Sequence, residues 1–96
     1  MGSNVRMPAP EAEVFGATLR RLREERKPLT QEQLAHAAGL TTNYYSDLER
    51  GVKTASLTTV LQLAFALDIP PADLLADFTS REVRRIAKPL VQKRLK

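Results

Sequence analysis

The stretch Thr30-Gln-Glu-Gln-Leu-Ala-His-Ala-Ala-Gly-Leu-Thr-Thr-Asn-Tyr-Tyr-Ser-Asp-Leu-Glu-Arg-Gly51 decides the fold. It reads as two short helices joined by a glycine turn. Thr30 is suited to cap the first helix, and Gln33, three residues on, completes a capping box. Leu34 and Ala38 then share one face. Gly39 supplies the left-handed residue that ends the helix, and Leu40 plugs the corner. Thr41 caps the second helix, whose buried face is predicted at Tyr45 and Leu48, and Gly51 stops it. Ala35 is small, as a close crossing of the two helices requires. A pair of this form is a helix-turn-helix, which offers its second helix to the major groove of DNA.

On the N-terminal side, a helix is predicted from near Glu11 to about Arg26, with Val14, Phe15, Thr18, Leu19 and Leu22 as its inward stripe. Pro28 prevents its smooth continuation. Residues 1–10, with two prolines and little periodicity, are expected to be disordered. On the C-terminal side, Ser56 caps a fourth helix from Leu57 to about Leu67. Its expected buried face is Leu57, Val60, Leu61, Ala64 and Leu67, with Phe65 at the edge and Thr58, Thr59 and Gln62 opposite. A short fifth helix follows, with Pro71 at its first position and both Leu74 and Leu75 inward. Thr79-Ser-Arg-Glu82 has the form of another capping box, ahead of amphipathic spacing at Val83, Ile86, Ala87 and Leu90, and Pro89 should break that element near Lys88. No alternating run or hairpin turn signals a strand. The expected fold is all-α: a five-helix domain over residues 11–78 and a basic helical extension over 79–96.

Ninety-six residues suit one small domain. The absence of cysteine excludes disulfides and thiolate metal sites and agrees with a reducing cytoplasm, the expected location. Neither a signal peptide nor a membrane span is expected. The net charge of +4 is unevenly placed: +2 over residues 1–28, −4 over residues 29–78 and +6 over residues 79–96. The helix-turn-helix is thus acidic, and attraction to phosphate must come from the two ends and a few placed residues.

Leu22-Arg23, Leu29-Thr-Gln-Glu-Gln-Leu-Ala35, Tyr44, Leu48-Glu-Arg-Gly51 and Ser56-Leu57 followed by Leu63-Ala-Phe-Ala-Leu67 together resemble the lambda Cro/C1-type (XRE) helix-turn-helix family, over roughly Val14 to Leu75. The resemblance implies a lambda-repressor-like five-helix domain, binding to specific double-stranded DNA sequences, regulation of transcription and a homodimer on a two-fold operator. It assigns base reading to Thr42, Asn43, Ser46 and Asp47, and phosphate contacts to Gln31, Arg50 and Lys53. It also pairs Glu49 with an arginine at the end of the first helix, here Arg23.

Among the candidate base readers, Asn43 stands out because its amide can pair with two edges of adenine. Tyr44 either meets the sugar-phosphate backbone or covers the loop between the third and fourth helices. Asp47 departs from the family pattern; a carboxylate can accept from a cytosine amino group, but it also repels phosphate. Tyr45 stands where the family usually has Ile or Leu, so its ring must enter the core with the hydroxyl at solvent or a partner. Phe65, Leu74 and Phe78 are candidates for an apolar dimer patch. His36 has no second metal ligand in view, and no nucleophile elbow, oxyanion loop or glycine-rich nucleotide loop is present. No catalysis, metal or cofactor is therefore expected. An alternative reading is an antitoxin or other interaction module that holds a protein partner through the C-terminal tail or the apolar patch and binds DNA secondarily. A coactivator adaptor is weaker still.

Overall fold

A computed structural model describes residues 9–95 and contains six α-helices and no strand among them. These are α1 (Pro10–Glu24), α2 (Gln31–Ala38), α3 (Thr42–Glu49), α4 (Leu57–Leu67), α5 (Pro71–Leu74) and α6 (Ser80–Ala87), followed by a 3₁₀ turn over Lys88–Leu90. The disorder expected of residues 1–10 falls almost wholly outside the described residues, and Pro10 is the first residue of α1.

The predicted caps form. The Thr30 hydroxyl accepts from Gln33 N–H at 3.1 Å while the Gln33 amide oxygen accepts from Thr30 N–H at 3.0 Å, which satisfies two of the free donors at the start of α2. Gly39 ends α2 at φ 75°, a conformation an L side chain disfavours, and Leu40 N–H closes the turn onto the Ala35 carbonyl at 2.9 Å. The Gln62 amide, from α4, donates to the Ala38 carbonyl at 3.0 Å and satisfies another exposed helix end. Thr41 and Ser56 cap α3 and α4.

Phe15 and Leu19 of α1, Leu34 and Ala35 of α2, Tyr45 and Leu48 of α3, Val60 and Leu63 of α4, and Leu74 of α5 share one core. Gly16 lets α1 press directly on the C-terminal turn of α3: a Cβ there would lie 2.3 Å from the Leu48 carbonyl oxygen and 2.7 Å from that of Glu49. Nothing in the linear pattern of α1 singles this glycine out, because only the crossing makes it necessary.

Four expectations require correction. In α4 the buried residues are Thr59, Val60, Leu63, Ala64 and Leu67, whereas Leu57 and Leu61 are exposed. The inward face is rotated by about 60° at 100° per residue. Its apolar residues span a wide arc, so periodicity does not fix which part of that arc turns inward; packing against α2 and α5 does. Burying Thr59 is compatible with its hydroxyl because Ser56 donates to it at 3.0 Å. Leu74 of α5 is buried, but Leu75 is the C-cap, where the backbone leaves the helical conformation, and it is exposed. Only half of the last capping box forms: Thr79 accepts from Glu82 N–H, but the Glu82 carboxylate turns to Arg85 at 2.7 Å. Finally, Leu74 has no exposed surface to offer a dimer patch, and Phe78 packs half-buried on the core, so Phe65 stands apart from the other two.

The sixth element behaves as Pro89 predicts, passing from α-helix to the 3₁₀ turn at Lys88. It buries no residue, although Val83, Ile86, Ala87 and Leu90 lie on one side and Arg81, Arg84, Arg85 and Lys88 on the other.

Gly16→Ala should therefore destabilise the domain by about 3 kcal/mol or more, since backbone rather than a flexible side chain occupies the space. Urea denaturation followed by circular dichroism measures this, with wild-type stability in the variant as the contrary result.

Candidate nucleic-acid interface

The turn between α2 and α3 leaves the first residues of α3 on the surface. Thr42 and Asn43 are exposed and Ser46 is half-exposed, and no hydrogen bond engages their side chains among the described residues. Polar groups free of internal partners on the first turns of such a helix can meet base edges.

Behind that surface, α3 is fixed by a buried polar network centred on Glu49, whose side chain is 2% exposed. Arg23 of α1 engages both carboxylate oxygens, with Nε donating at 2.7 Å and Nη2 at 3.2 Å. The Tyr45 hydroxyl donates to the same carboxylate at 2.6 Å and the Gln31 amide at 2.8 Å. Arg23 also donates to the Leu29 carbonyl at 3.0 Å, which ties the connection between α1 and α2 to the same point. The predicted Arg23–Glu49 pair is thus present as a two-pronged contact. Tyr45 places its ring in the core and its hydroxyl on a buried partner rather than at solvent.

The electrostatics follow from these contacts. Burial opposes the charge on Glu49, but hydrogen bonds from Arg23, Tyr45 and Gln31 outweigh it and hold the carboxyl below its ordinary value of 4.5. Burial, then the hydrogen bond to Glu49, pushes the Tyr45 phenol far above its ordinary range, so it remains a donor. The Glu49 hydrogen bond raises the Arg23 guanidinium further, keeping it charged at all working pH.

The other candidates divide. Gln31 sits at the start of α2, but its side-chain amide is turned to Glu49. The Tyr44 hydroxyl lies 3.4 Å from the Thr59 hydroxyl, and its ring lies under Lys53, whose Nζ is 5.9 Å from the ring centre. Tyr44 therefore covers the loop between α3 and α4 while keeping part of its surface exposed. Arg50 and Lys53 are exposed, and both pair with the Asp47 carboxylate. The sequence reasoning missed this three-residue cluster; the spacing i, i+3, i+6 was its available signal.

Away from α3, a groove of about 880 Å³ runs between α6 and residues 91–94, lined in part by Phe78, Val83, Val91, Arg84, Lys88 and Arg94. Lys96, the last base of the tail, lies outside the described residues. No group of three or more His, Cys, Asp or Glu able to hold a metal ion occurs among the described residues, and no described helix is long and apolar enough to cross a membrane.

Comparison with known proteins agrees with this geometry. A family model for the helix-turn-helix domain matches residues 14–78. The chain is 36% identical to control protein C.BamHI of Bacillus amyloliquefaciens over 80 residues, covering 83% of this chain and 90% of that protein. Among solved structures, the restriction-modification controller protein C.AhdI from Aeromonas hydrophila superposes with a TM-score of 0.64 at 44% identity, covering 67% of this chain and 96% of that one. The clp gene regulator ClgR from Corynebacterium glutamicum gives a TM-score of 0.68 at 30% identity, covering 88% of this chain and 87% of its own.

Because the Glu49 carboxyl titrates lower in the folded chain than in the unfolded one, its contribution is fully present above pH 4.5 and is lost as pH falls through the lower folded value. Stability should hold from neutral pH to about 5 and decline below it. Glu49→Gln should cost about 3 kcal/mol at pH 7, by breaking a buried pair from one side. It should also flatten the acid decline, as read from urea midpoints at pH 7, 5, 4 and 3. An equally steep decline in the variant would move the effect to other carboxylates.

Proposed function

The chain belongs to the helix-turn-helix domain family and is a DNA-binding transcriptional regulator, and we propose that it reads a pseudo-palindromic operator as a homodimer with α3 in the major groove. The observation that carries this reading is the combination of a polar, internally unpaired start of α3 with the buried Glu49 network that fixes the helix against α1 and α2. Base discrimination is assigned to Thr42, Asn43 and Ser46. Gln31 serves phosphate through its backbone N–H at the start of α2, since its amide is engaged by Glu49. Arg50, Lys53 and the exposed part of Tyr44 complete the phosphate contacts.

For the dimer, α4 offers Leu57, Leu61 and Phe65, 74%, 49% and 88% exposed and spaced by four along one side. This stripe takes the place of the expected trio, and Phe65 is common to both. A second copy of the chain is its proposed cover. C.AhdI is a restriction-modification controller, and control of genes of that kind is the finer role proposed here. The cytoplasm is the compartment in which such a role is exercised.

The basic extension is proposed to add sequence-independent affinity through its charge of +6. The groove beside α6 favours a second use, as the seat of a protein partner.

Selection from a randomised duplex library should yield an inverted repeat with half-sites about one helical turn, ~34 Å, apart. Asn43→Ala should lose about 1–3 kcal/mol at the selected site and relax one position of each half. Phe65→Glu should convert the repeat to single half-sites. Binding that follows salt alone and selects no motif would instead favour the partner-holding reading.

Residues 79–95 hold no buried side chain, and removal of residues 79–96 should leave the selected motif intact. The slope of log affinity against log salt should become shallower by several units, given about 0.9 per phosphate neutralised. An unchanged slope would exclude the tail from DNA.

A further inference from the structure

Asp47 lies in the last turn of α3, where the helix dipole disfavours a negative charge, and its side chain is 19% exposed. Two cations offset that placement. Arg50 Nη2 pairs with one carboxylate oxygen, and Lys53 Nζ lies 3.3 Å from the other. Lys53 is further steadied over the Tyr44 ring. Arg50 and Lys53 are the only basic residues between positions 29 and 78, so one carboxylate holds every cation that the helix-turn-helix segment itself brings to DNA. A cytosine amino group, the base partner suited to a carboxylate, would have to share each oxygen with a cation that already lies on it.

We infer that Asp47 is a positioning residue that sets sequence discrimination without reading a base, an inference that rests on α3 being the recognition helix. It holds Arg50 and Lys53 in fixed places at the exit of α3 and subtracts one charge from the potential they offer. Free arginine and lysine side chains adapt to phosphates in many registers. Held to one carboxylate, the guanidinium and the ammonium present their remaining N–H donors from two restrained points. A duplex seated in the correct register meets those donors with the pairs intact, whereas an off-register duplex engages them only by breaking the pairs. Sequence-independent binding depends on how many phosphates are neutralised, so the carboxylate penalises it more than operator binding. Discrimination then comes from weakening the wrong complex.

The test compares full-length wild type, Asp47→Asn and Asp47→Glu, with folding checked by thermal unfolding. Each is titrated against a random-sequence duplex over a range of salt and put through library selection. Asp47→Asn should tighten random-duplex binding about three- to tenfold and steepen its salt slope by about one. It should leave every position of the selected motif unchanged, so the ratio of operator to random affinity falls. Asp47→Glu, which keeps the charge, should restore the wild-type slope. Loss of a cytosine preference at one half-site position, with an unchanged random-duplex slope, would make Asp47 a base reader and overturn the inference. Unchanged slope and motif together would reduce it to an idle surface charge. Failure of the wider reading registers separately, as a wild type that selects no motif, and the random-duplex slope then still decides whether Asp47 restrains the two cations.

Discussion

Glu49 ends α3 with Arg23 from α1, Gln31 from α2 and Tyr45 from its own helix directed at its carboxylate. A carboxylate in this position is costly to bury alone, and each partner removes part of that cost only when its helix is correctly placed. The network therefore ties the relative placement of three helices to the satisfaction of one charge. The surface at the start of α3 inherits its rigidity from this point, because the helix is only two turns long and has little strength of its own. Close approach at Gly16 completes the arrangement by letting α1 touch the backbone of α3 where Glu49 sits.

Electrostatics divide the chain along its length. The helix-turn-helix segment is acidic, its two cations are shared with Asp47, and the largest positive charge lies on an extension that buries nothing. The proposed function accordingly assigns affinity and discrimination to different parts of the molecule: the basic tail would raise encounter with any duplex, and the restrained, polar α3 would select among them.

The apolar stripe of Leu57, Leu61 and Phe65 follows from how α4 resolves its excess of apolar residues. A helix whose apolar residues span a wide arc cannot bury all of them in a core this small, so one set remains outside. Core packing chose Leu63 and Thr59 for the inside, and the displaced leucines became surface with an interface as their proposed use.

Local chemistry in the sequence determined the caps at Thr30, Thr41 and Ser56, the left-handed turn at Gly39 and the break at Pro89, because each depends on a few neighbouring residues, and the family resemblance implied the Arg23–Glu49 pair. Exposure of Thr42 and Asn43 was equally legible, since the inward face of α3 was fixed by Tyr45 and Leu48. Tertiary structure alone decided which arc of α4 faces inward, why position 16 admits only glycine, and that the Gln31 amide serves Glu49. Those outcomes depend on distances between helices and on competition among partners for the same polar atom, and neither quantity is carried by the spacing of residues along a chain.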